Sequence, residues 1–361
     1  MSSSVPRKMR AVVCHGPGDY KLENVDTPIP GPEEILVKVE ACGICASDVK
    51  CYKGAEVLWS GPKPYVKPPV IPGHEFIGRV VNLGEDATEK HGLELGDRAI
   101  AEQIIPCWQC RHCLSGHYWM CETNRIFGFQ GGTNDGGFAE YMLYPRGSIV
   151  HRVPEDLPSD WAALIEPLAC AIHAVDRARI ELDDTVVIAG MGPIGLCMLQ
   201  ATKLRGPKKV IALDVRDYRL GVASRLGADE ALNPGKMDVV SYVKDSTGGY
   251  GCDVYIEATG HPSGPVQGLS MIRKLGRFVE FSVLAEPVSA DWSIIGDRKE
   301  LDVYGAHLGP YRYPTAIEYL RRKLVKADAI VTHRFKLEDF FKAFEYSEKG
   351  LDNAIKVIVI P

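Results

Sequence analysis

The stretch Val186-Val187-Ile188-Ala189-Gly190-Met191-Gly192-Pro193-Ile194-Gly195 decides how the second half of this chain is built. An apolar, β-branched run is followed at once by a G-x-G-x-x-G pattern that opens a helix, giving the order strand, tight turn, helix. Gly190 supplies the turn, Gly192 lets the backbone approach a pyrophosphate, and Gly195 lets the helix pack closely. The helix N-terminus then faces the anion, where unpaired N–H groups and the helix dipole favour negative charge. A ligand-free strand-to-helix turn would use the same glycines, so the surroundings carry the decision. The next strand ends at Asp214, nineteen residues after Gly195, where a carboxylate can accept hydrogen bonds from a ribose 2′-hydroxyl. A 2′-phosphate would meet that carboxylate as a like charge, which predicts NAD and not NADP. Arg219, five residues on, weakens the inference, because a guanidinium can stack on adenine or attract phosphate.

Outward from this loop, strands alternate with helical patterns from about Trp161. Strands are predicted at Val186 to Ala189, Val210 to Asp214, Val254 to Glu257, Phe278 to Phe281 and Leu301 to Tyr304, with helices starting near Pro193, Arg216, Met237 and Ser263. Such alternation predicts a parallel sheet covered by helices on both faces, an α/β fold. Residues Met9 to about Tyr144 have another texture: short β segments broken by Gly and Pro, with a Pro-rich surface loop from Gly61 to Pro69. After Gly305 come helical stretches at Thr315 to Lys323 and Leu337 to Lys349, then a final strand from Ala354 to Ile360. That tail is expected to return to the first domain. Residues 1–160, completed by 306–361, would form one domain, and 161–305 would be inserted into it with a cleft alongside.

Composition excludes several classes of function. A net charge of -5 without a basic cluster argues against nucleic acid or an anionic membrane as partner. No apolar run is long enough to span a bilayer, and the N-terminus, Met1 to Arg7, lacks the apolar core of a secretory signal, so a cytoplasmic location is expected. The eleven cysteines are odd in number and four lie within fifteen residues, which favours reduced thiols and metal ligands over disulfides.

Those four are Cys107, Cys110, Cys113 and Cys121, in the pattern C-x2-C-x2-C-x7-C. Two-residue gaps let successive thiolates converge on one ion, and four of them close a tetrahedral shell, as in structural zinc. An iron-sulfur cluster also takes four cysteines, but this spacing departs from the ferredoxin patterns. His112 and His117 lie nearby and are expected to be solvated loop residues. A second metal pattern begins at Gly73-His74-Glu75-Phe76-Ile77-Gly78, continuing to Gly84, where an imidazole and a carboxylate adjoin on tightly turning backbone. Two such groups cannot hold a metal alone. Cys45 upstream and Glu166 downstream are the candidates to complete a site with one open position, the form catalytic zinc takes. Taken singly, Cys45 fits a buried apolar thiol, His74 a core histidine and Glu166 a helix-start carboxylate.

Taken together, these motifs resemble the zinc-containing, medium-chain alcohol dehydrogenase superfamily along nearly the whole chain, and most closely its sorbitol dehydrogenase-like polyol branch. The resemblance rests on Cys42 to Asp48, Gly73-His74-Glu75 with Gly78 and Gly84, the cysteine quartet, Ala163-Leu164-Ile165-Glu166-Pro167 and the glycine loop. It implies a GroES-like β-rich catalytic domain plus a Rossmann domain with a doubly wound parallel sheet, and an active site between them. It also implies that Cys45, His74, Glu75 and Glu166 serve a catalytic Zn2+, with Glu166 bound directly or through water, and that the quartet holds a structural Zn2+. For NAD it implies contacts at Gly190, Gly192, Ile194, Gly195, Asp214 and Arg219, at the turn Phe281-Ser282-Val283, and at Ala306-His307-Leu308.

By the same resemblance Ser47 takes the proton of the substrate hydroxyl and passes it through the cofactor ribose. In many relatives the relay ends at a histidine where this chain has Lys50, and a lysine of ordinary pKa is already charged at neutral pH. Either its site depresses Lys50 or water completes the relay. A carboxylate at Glu166 in place of a thiolate makes the pocket polar, which suits neighbouring hydroxyls. The expected substrate is therefore a sugar alcohol, from erythritol or threitol through xylitol and arabinitol to sorbitol, oxidised at a secondary hydroxyl. L-threonine and 2,3-butanediol are the alternatives within the class. A nucleotide-binding structural protein without chemistry is the alternative outside it. Trp59, Phe127, Phe129 and His307 are candidates to shape the pocket. The resemblance also implies a homo-oligomer, a tetramer before a dimer.

Overall fold

The chain begins as β structure because β-branched residues are punctuated by turn formers. In the computed structural model, which describes residues 5–132, 134–284 and 286–361, Lys8–Gly16 (β1) and Asp19–Asp26 (β2) form an antiparallel hairpin. Of the N-terminal stretch read above, Met1–Ser4 lies outside the described residues. Strands Ile35–Gly43 (β3), Glu75–Leu83 (β4), Arg98–Ala101 (β5), Tyr141–Tyr144 (β8) and Val150–Arg152 (β9) build most of a seven-stranded sheet. Two short strands, Ile104–Ile105 (β6) and Arg125–Ile126 (β7), pair beside it and bracket the cysteine quartet. The last strands of the chain, Val331–Lys336 (β16) and Lys356–Ile360 (β17), complete the sheet in the order β16-β17-β3-β4-β5-β9, with β8 on β3. The tail therefore returns to the first unit, through Ile358 and Val359 opposite Gly43 and Cys42. Phe76 and Ile77 on β4 are wholly buried; removing such a side chain from water contributes about 2 kcal/mol.

In the second unit, Thr185–Ala189 (β10), Lys209–Leu213 (β11), Glu230–Leu232 (β12), Cys252–Glu257 (β13), Ile272–Glu280 (β14) and Asp302–Gly305 (β15) form an all-parallel sheet in the order β12-β11-β10-β13-β14-β15. β10 is buried at every position, as expected of a strand covered on both faces. The order reverses between β10 and β13, and open α/β sheets bind ligands at the carboxyl ends of the strands beside such a switch point. Helices Pro193–Lys203, Asp217–Arg225, Val239–Ser246 and Ser263–Met271 make the crossovers. β12 escapes the sequence reading because three half-buried residues are too short to show a period.

The chain divides into Met1–Glu166, Tyr313–Lys323 and Val331–Pro361 as one unit, and Pro167–Arg312 with Leu324–Ile330 as the other. These limits differ from the expected 160 and 306. Residues 306–312 stay with the parallel sheet because the Ala306 N–H donates to Glu280 O at 3.0 Å and Gly309 lies against the backbone of Ala169. The Lys326 N–H, donating to Gln200 Oε1 at 2.7 Å, likewise holds 324–330 there.

Candidate active site and metal centres

The quartet surrounds a short helical turn, Arg111–Leu114, which Cys110 caps and which carries Cys113, between β6 and β7. All four sulfurs lie within 4.8 Å of one another, with Cys107 to Cys113 at 4.0 Å and Cys110 to Cys113 at 3.6 Å. A tetrahedron of thiolates around zinc has edges of about 3.8 Å, so the donors are already placed for one ion. A multi-iron cluster would hold them farther apart. Backbone N–H groups of Gln109 and Cys110 point at Cys107 Sγ at 3.4 and 3.3 Å, and that of Cys107 at Cys121 Sγ at 3.2 Å. Burial works against a thiolate at Cys121, but hydrogen bonds from Thr123 and the Cys107 backbone bring it down to about 6. His112 instead pairs with Glu122 at 3.2 Å, and His117 meets the Ser115 hydroxyl at 3.0 Å, so both stay outside the quartet.

The second centre gathers where the chain leaves β3 for the helix Ala46–Tyr52 and where it enters β4. Cys45 caps that helix, and its N–H donates to Asp48 Oδ2 at 2.8 Å. The other carboxylate oxygen of Asp48 lies 3.5 Å from His74 Nδ1, a buried nitrogen that makes no closer hydrogen bond among the described residues. This turns Nε2 toward Cys45 and Ser47, whose hydroxyl is 3.5 Å away. A carboxylate behind a histidine fixes the ring and its tautomer at many metal sites. Ligand atoms of Cys45, His74 and Glu75 all fall within 4.8 Å of one another. Burial alone would disfavour charge on His74, but Asp48 and Cys45 outweigh it and raise its affinity for a proton. A pocket that draws protons in this way suits a cation. The donor set of thiolate, imidazole and carboxylate fits zinc.

Glu75 is not idle. Both of its oxygens accept from the ammonium of Lys356, at 2.8 and 2.5 Å, and the same nitrogen donates to Ile44 O at 3.0 Å. Lys356 and Glu75 are each almost wholly buried. Burial works against the charge on Lys356, but Glu75, then Cys45 and more weakly Glu166, keep it raised. Glu166, buried in the first turn of the helix Ile165–Arg177, accepts at Oε1 from the amide of Gln103. The sequence reading missed Lys356 and Gln103. Lys356 had a signal: one lysine inside the apolar run Ala354 to Ile360 demands a buried carboxylate partner.

Lys50 lies in the last turn of the helix that starts after Cys45. Half-burial pushes its ammonium below the ordinary lysine range, with the Cys45 thiolate partly opposing. Of the proposed pocket residues, Phe129 packs on the His74 ring at 5.5 Å between centroids, whereas Phe127 is core, against Phe76 and Tyr144. The indole of Trp59 donates to Cys51 O at 2.7 Å.

In the second unit, Gly190 follows β10 with φ +94°, and a Cβ at Gly195 would stand 1.7 Å from Gly190 O, so neither position accepts a side chain. Gly192 caps the helix Pro193–Lys203, and Ile194 is half-buried in its first turn. Asp214 lies directly after β11; its Oδ2 accepts the Met191 N–H at 2.7 Å and its Oδ1 the Arg216 N–H at 2.8 Å. Arg219 Nη1 is 3.7 Å from Asp214 and borders Gly192, beside the loop that would take a pyrophosphate. Phe281, Ser282 and Val283 follow β14, and Ala306, His307 and Leu308 follow β15, so both turns lie at carboxyl ends of strands. No helix among the described residues is long and apolar enough to cross a membrane.

Residues 31–155 match the family model described as alcohol dehydrogenase GroES-like domain, and 193–322 the one described as zinc-binding dehydrogenase. The chain is 50% identical over its full length, and that of the relative, to an erythritol/L-threitol dehydrogenase of Mycolicibacterium smegmatis. Among solved structures, a zinc-binding dehydrogenase of Sinorhizobium meliloti bound to NADP superposes with TM-score 0.88 at 33% identity, covering 98% of this chain and 99% of that one. An alcohol dehydrogenase of Escherichia coli complexed with NADH gives 0.87 at 28%, covering 99% and 100%. With the thiolate quartet, the Cys45-His74-Glu75 cluster and the glycine loop in place, this chain belongs to the zinc-containing medium-chain alcohol dehydrogenase superfamily, oxidoreductases that act on CH–OH donors with zinc and a nicotinamide dinucleotide.

Proposed function

We propose that the chain oxidises a secondary hydroxyl of a sugar alcohol, of the erythritol and threitol class first and up to sorbitol, to the ketose, reversibly and with NAD. The observation that supports the substrate class is Glu166, a buried carboxylate held by the Gln103 amide; the cluster of ligand atoms within 4.8 Å of one another consists of Cys45, His74 and Glu75 without it, so its part would be to offer polar partners to a second hydroxyl. Cys45 and His74, with Glu75 or Glu166, would hold the catalytic zinc, which when bound supplies Lewis acidity toward the substrate oxygen. Ser47, whose hydroxyl lies 3.5 Å from His74 Nε2, would accept the hydroxyl proton, and Lys50 would relay it. Asp214 supports NAD over NADP through its charge, and the glycine loop supplies the pyrophosphate cradle.

The reading takes one catalytic and one structural zinc per chain, and a cytoplasmic homo-oligomer, a tetramer before a dimer. Metal analysis near two zinc per chain supports the enzyme, and none would support a non-catalytic binder. A panel of polyols and ketoses assayed with NAD and NADP, with L-threonine and 2,3-butanediol included, tests the substrate. Turnover of L-threonine or 2,3-butanediol above every polyol would overturn this choice.

A further inference from the structure

The carboxyl ends of β13 and β14 carry two acids joined by a single hydroxyl. Glu257, fully buried, collects at Oε1 the N–H groups of Thr259 at 2.7 Å and Gly260 at 3.1 Å and the Thr259 hydroxyl at 2.5 Å. Among the described residues, Glu280 accepts at Oε1 from Ser282 alone, whose N–H is 3.0 Å away. The Ser282 hydroxyl lies 2.9 Å from Glu280 Oε1 and 3.3 Å from Glu257 Oε1. One hydroxyl has one hydrogen to give, so it cannot fully serve two carboxylates. Glu257, with three further donors, keeps its charge more easily. Glu280 is left as the group that takes a proton, after which its own O–H can donate to Ser282.

We propose that Glu280 is a proton-carrying selector that sets the relative affinity of the second unit for oxidised and reduced nicotinamide dinucleotide. The inference rests on the cofactor reading above: with the adenosine ribose at Asp214 after β11 and the pyrophosphate at the loop after β10, the nicotinamide half would extend along the strand order toward the carboxyl ends of β13 and β14. Burial pushes the Glu280 carboxyl up, the Ser282 bonds oppose, and Glu257 adds to the rise, bringing it to about 7. The titratable groups facing it are Glu257 and, beyond it on β13, Tyr255, whose hydroxyl donates to Gly264 O at 2.9 Å. From the β15 side comes the Ala306 N–H, bonded to Glu280 O at 3.0 Å. Glu257 is the charged group joined to it, through the shared Ser282 hydroxyl. The oxidised ring is cationic and the reduced ring neutral, so an ionised Glu280 favours the oxidised form and a protonated Glu280 loses that preference.

The experiment measures dissociation constants of NAD and NADH for the zinc-loaded protein between pH 5.5 and 8.5, by calorimetry and by NADH fluorescence. The ratio Kd(NADH)/Kd(NAD) is expected to rise by roughly threefold to tenfold through about pH 7. In Glu280→Gln it is expected to stay flat at the low-pH value. Ser282→Ala removes a bond to the ionised acid and is expected to move the midpoint to higher pH. An unchanged slope in Glu280→Gln, or a flat ratio in the unaltered protein while both dinucleotides bind, would overturn the proposal. Should Glu280→Gln fail to fold, an unmoved midpoint in Ser282→Ala overturns it equally. If the unaltered protein binds neither dinucleotide, the cofactor reading itself falls, a separate and visible outcome.

Discussion

The ammonium of Lys356 donates to both carboxylate oxygens of Glu75, 2.8 Å from one and 2.5 Å from the other, across 281 residues of sequence. The pair decides what Glu75 can do. A carboxylate gripped at both oxygens by a buried cation is a restrained ligand, and its negative charge reaches the metal pocket only partly compensated. Removing one member of a buried ion pair leaves an uncompensated charge and costs about 3 kcal/mol or more. Lys356→Met is therefore expected to lower the urea midpoint of the zinc-loaded protein sharply, and Lys356→Met with Glu75→Gln to recover much of the loss. If the double variant is as unstable as the single one, lysine packing and not charge is what the strand needs.

Zinc in the quartet is expected to hold the 104–126 lobe together. Chelation, or Cys110→Ser, would remove one of two zinc ions per chain and lower the thermal midpoint, because metal binding energy at a closed thiolate site is folding energy. The readouts are metal content and protection of the lobe against proteolysis. A Cys110→Ser protein that keeps both ions and its protease resistance would show that three thiolates suffice.

For the proton path, Ser47→Ala is expected to lower kcat by roughly a hundredfold, the usual scale for a lost acid-base partner. Lys50→Ala is expected to lower it by less than about tenfold if water can finish the relay. Half-burial loosens the hold of Lys50 on its proton, which is the direction a proton carrier would need. Equal losses in the two variants would assign the whole path to the side chains.

The quartet and the glycine loop were legible because each is a short-range pattern, whereas Cys45, His74 and Glu166 were linked only through the family resemblance. The quartet lies within fifteen residues, and the strand, glycine loop and helix that form the cradle are continuous in sequence. What escaped was long-range pairing. Lys356 belongs to a strand whose neighbours are apolar, and its partner comes from β4, a relation fixed only once β17 lies beside β3. Gln103 carries no motif at all; it matters because β6 starts one residue later and aims its amide at Glu166. The short strand β12 and the early start of β14 were hidden for a simpler reason, since neither shows a hydrophobic period.

Cofactor choice is expected to turn on Asp214. In Asp214→Ser the like charge that meets a 2′-phosphate is gone while Arg219 remains beside the loop, so the preference for NAD over NADP should fall by about tenfold or more. The lost bond to the Met191 N–H should also weaken NAD itself. Initial rates with both cofactors on one polyol measure the shift. An unchanged ratio would mean that Arg219 or the loop backbone, not the carboxylate, sets the choice.

The last prediction concerns Gln103 and separates the two roles open to Glu166. Gln103→Leu keeps the bulk of the side chain and, through its backbone N–H, the bond to the Tyr313 hydroxyl at 3.1 Å, but it removes the amide that holds Glu166 Oε1. A hydrogen bond to a charged group contributes about 1.5–3 kcal/mol, so a misplaced Glu166 should raise KM for polyols by about tenfold or more. If Glu166 serves the substrate through water, zinc content and the activity on simple monohydric alcohols should hold while polyol KM rises. If Glu166 is a direct zinc ligand, catalytic zinc should be lost in parallel, and Glu166→Gln should reproduce the loss. A Gln103→Leu enzyme with unaltered KM and unaltered zinc would show that the amide only fills space behind the site.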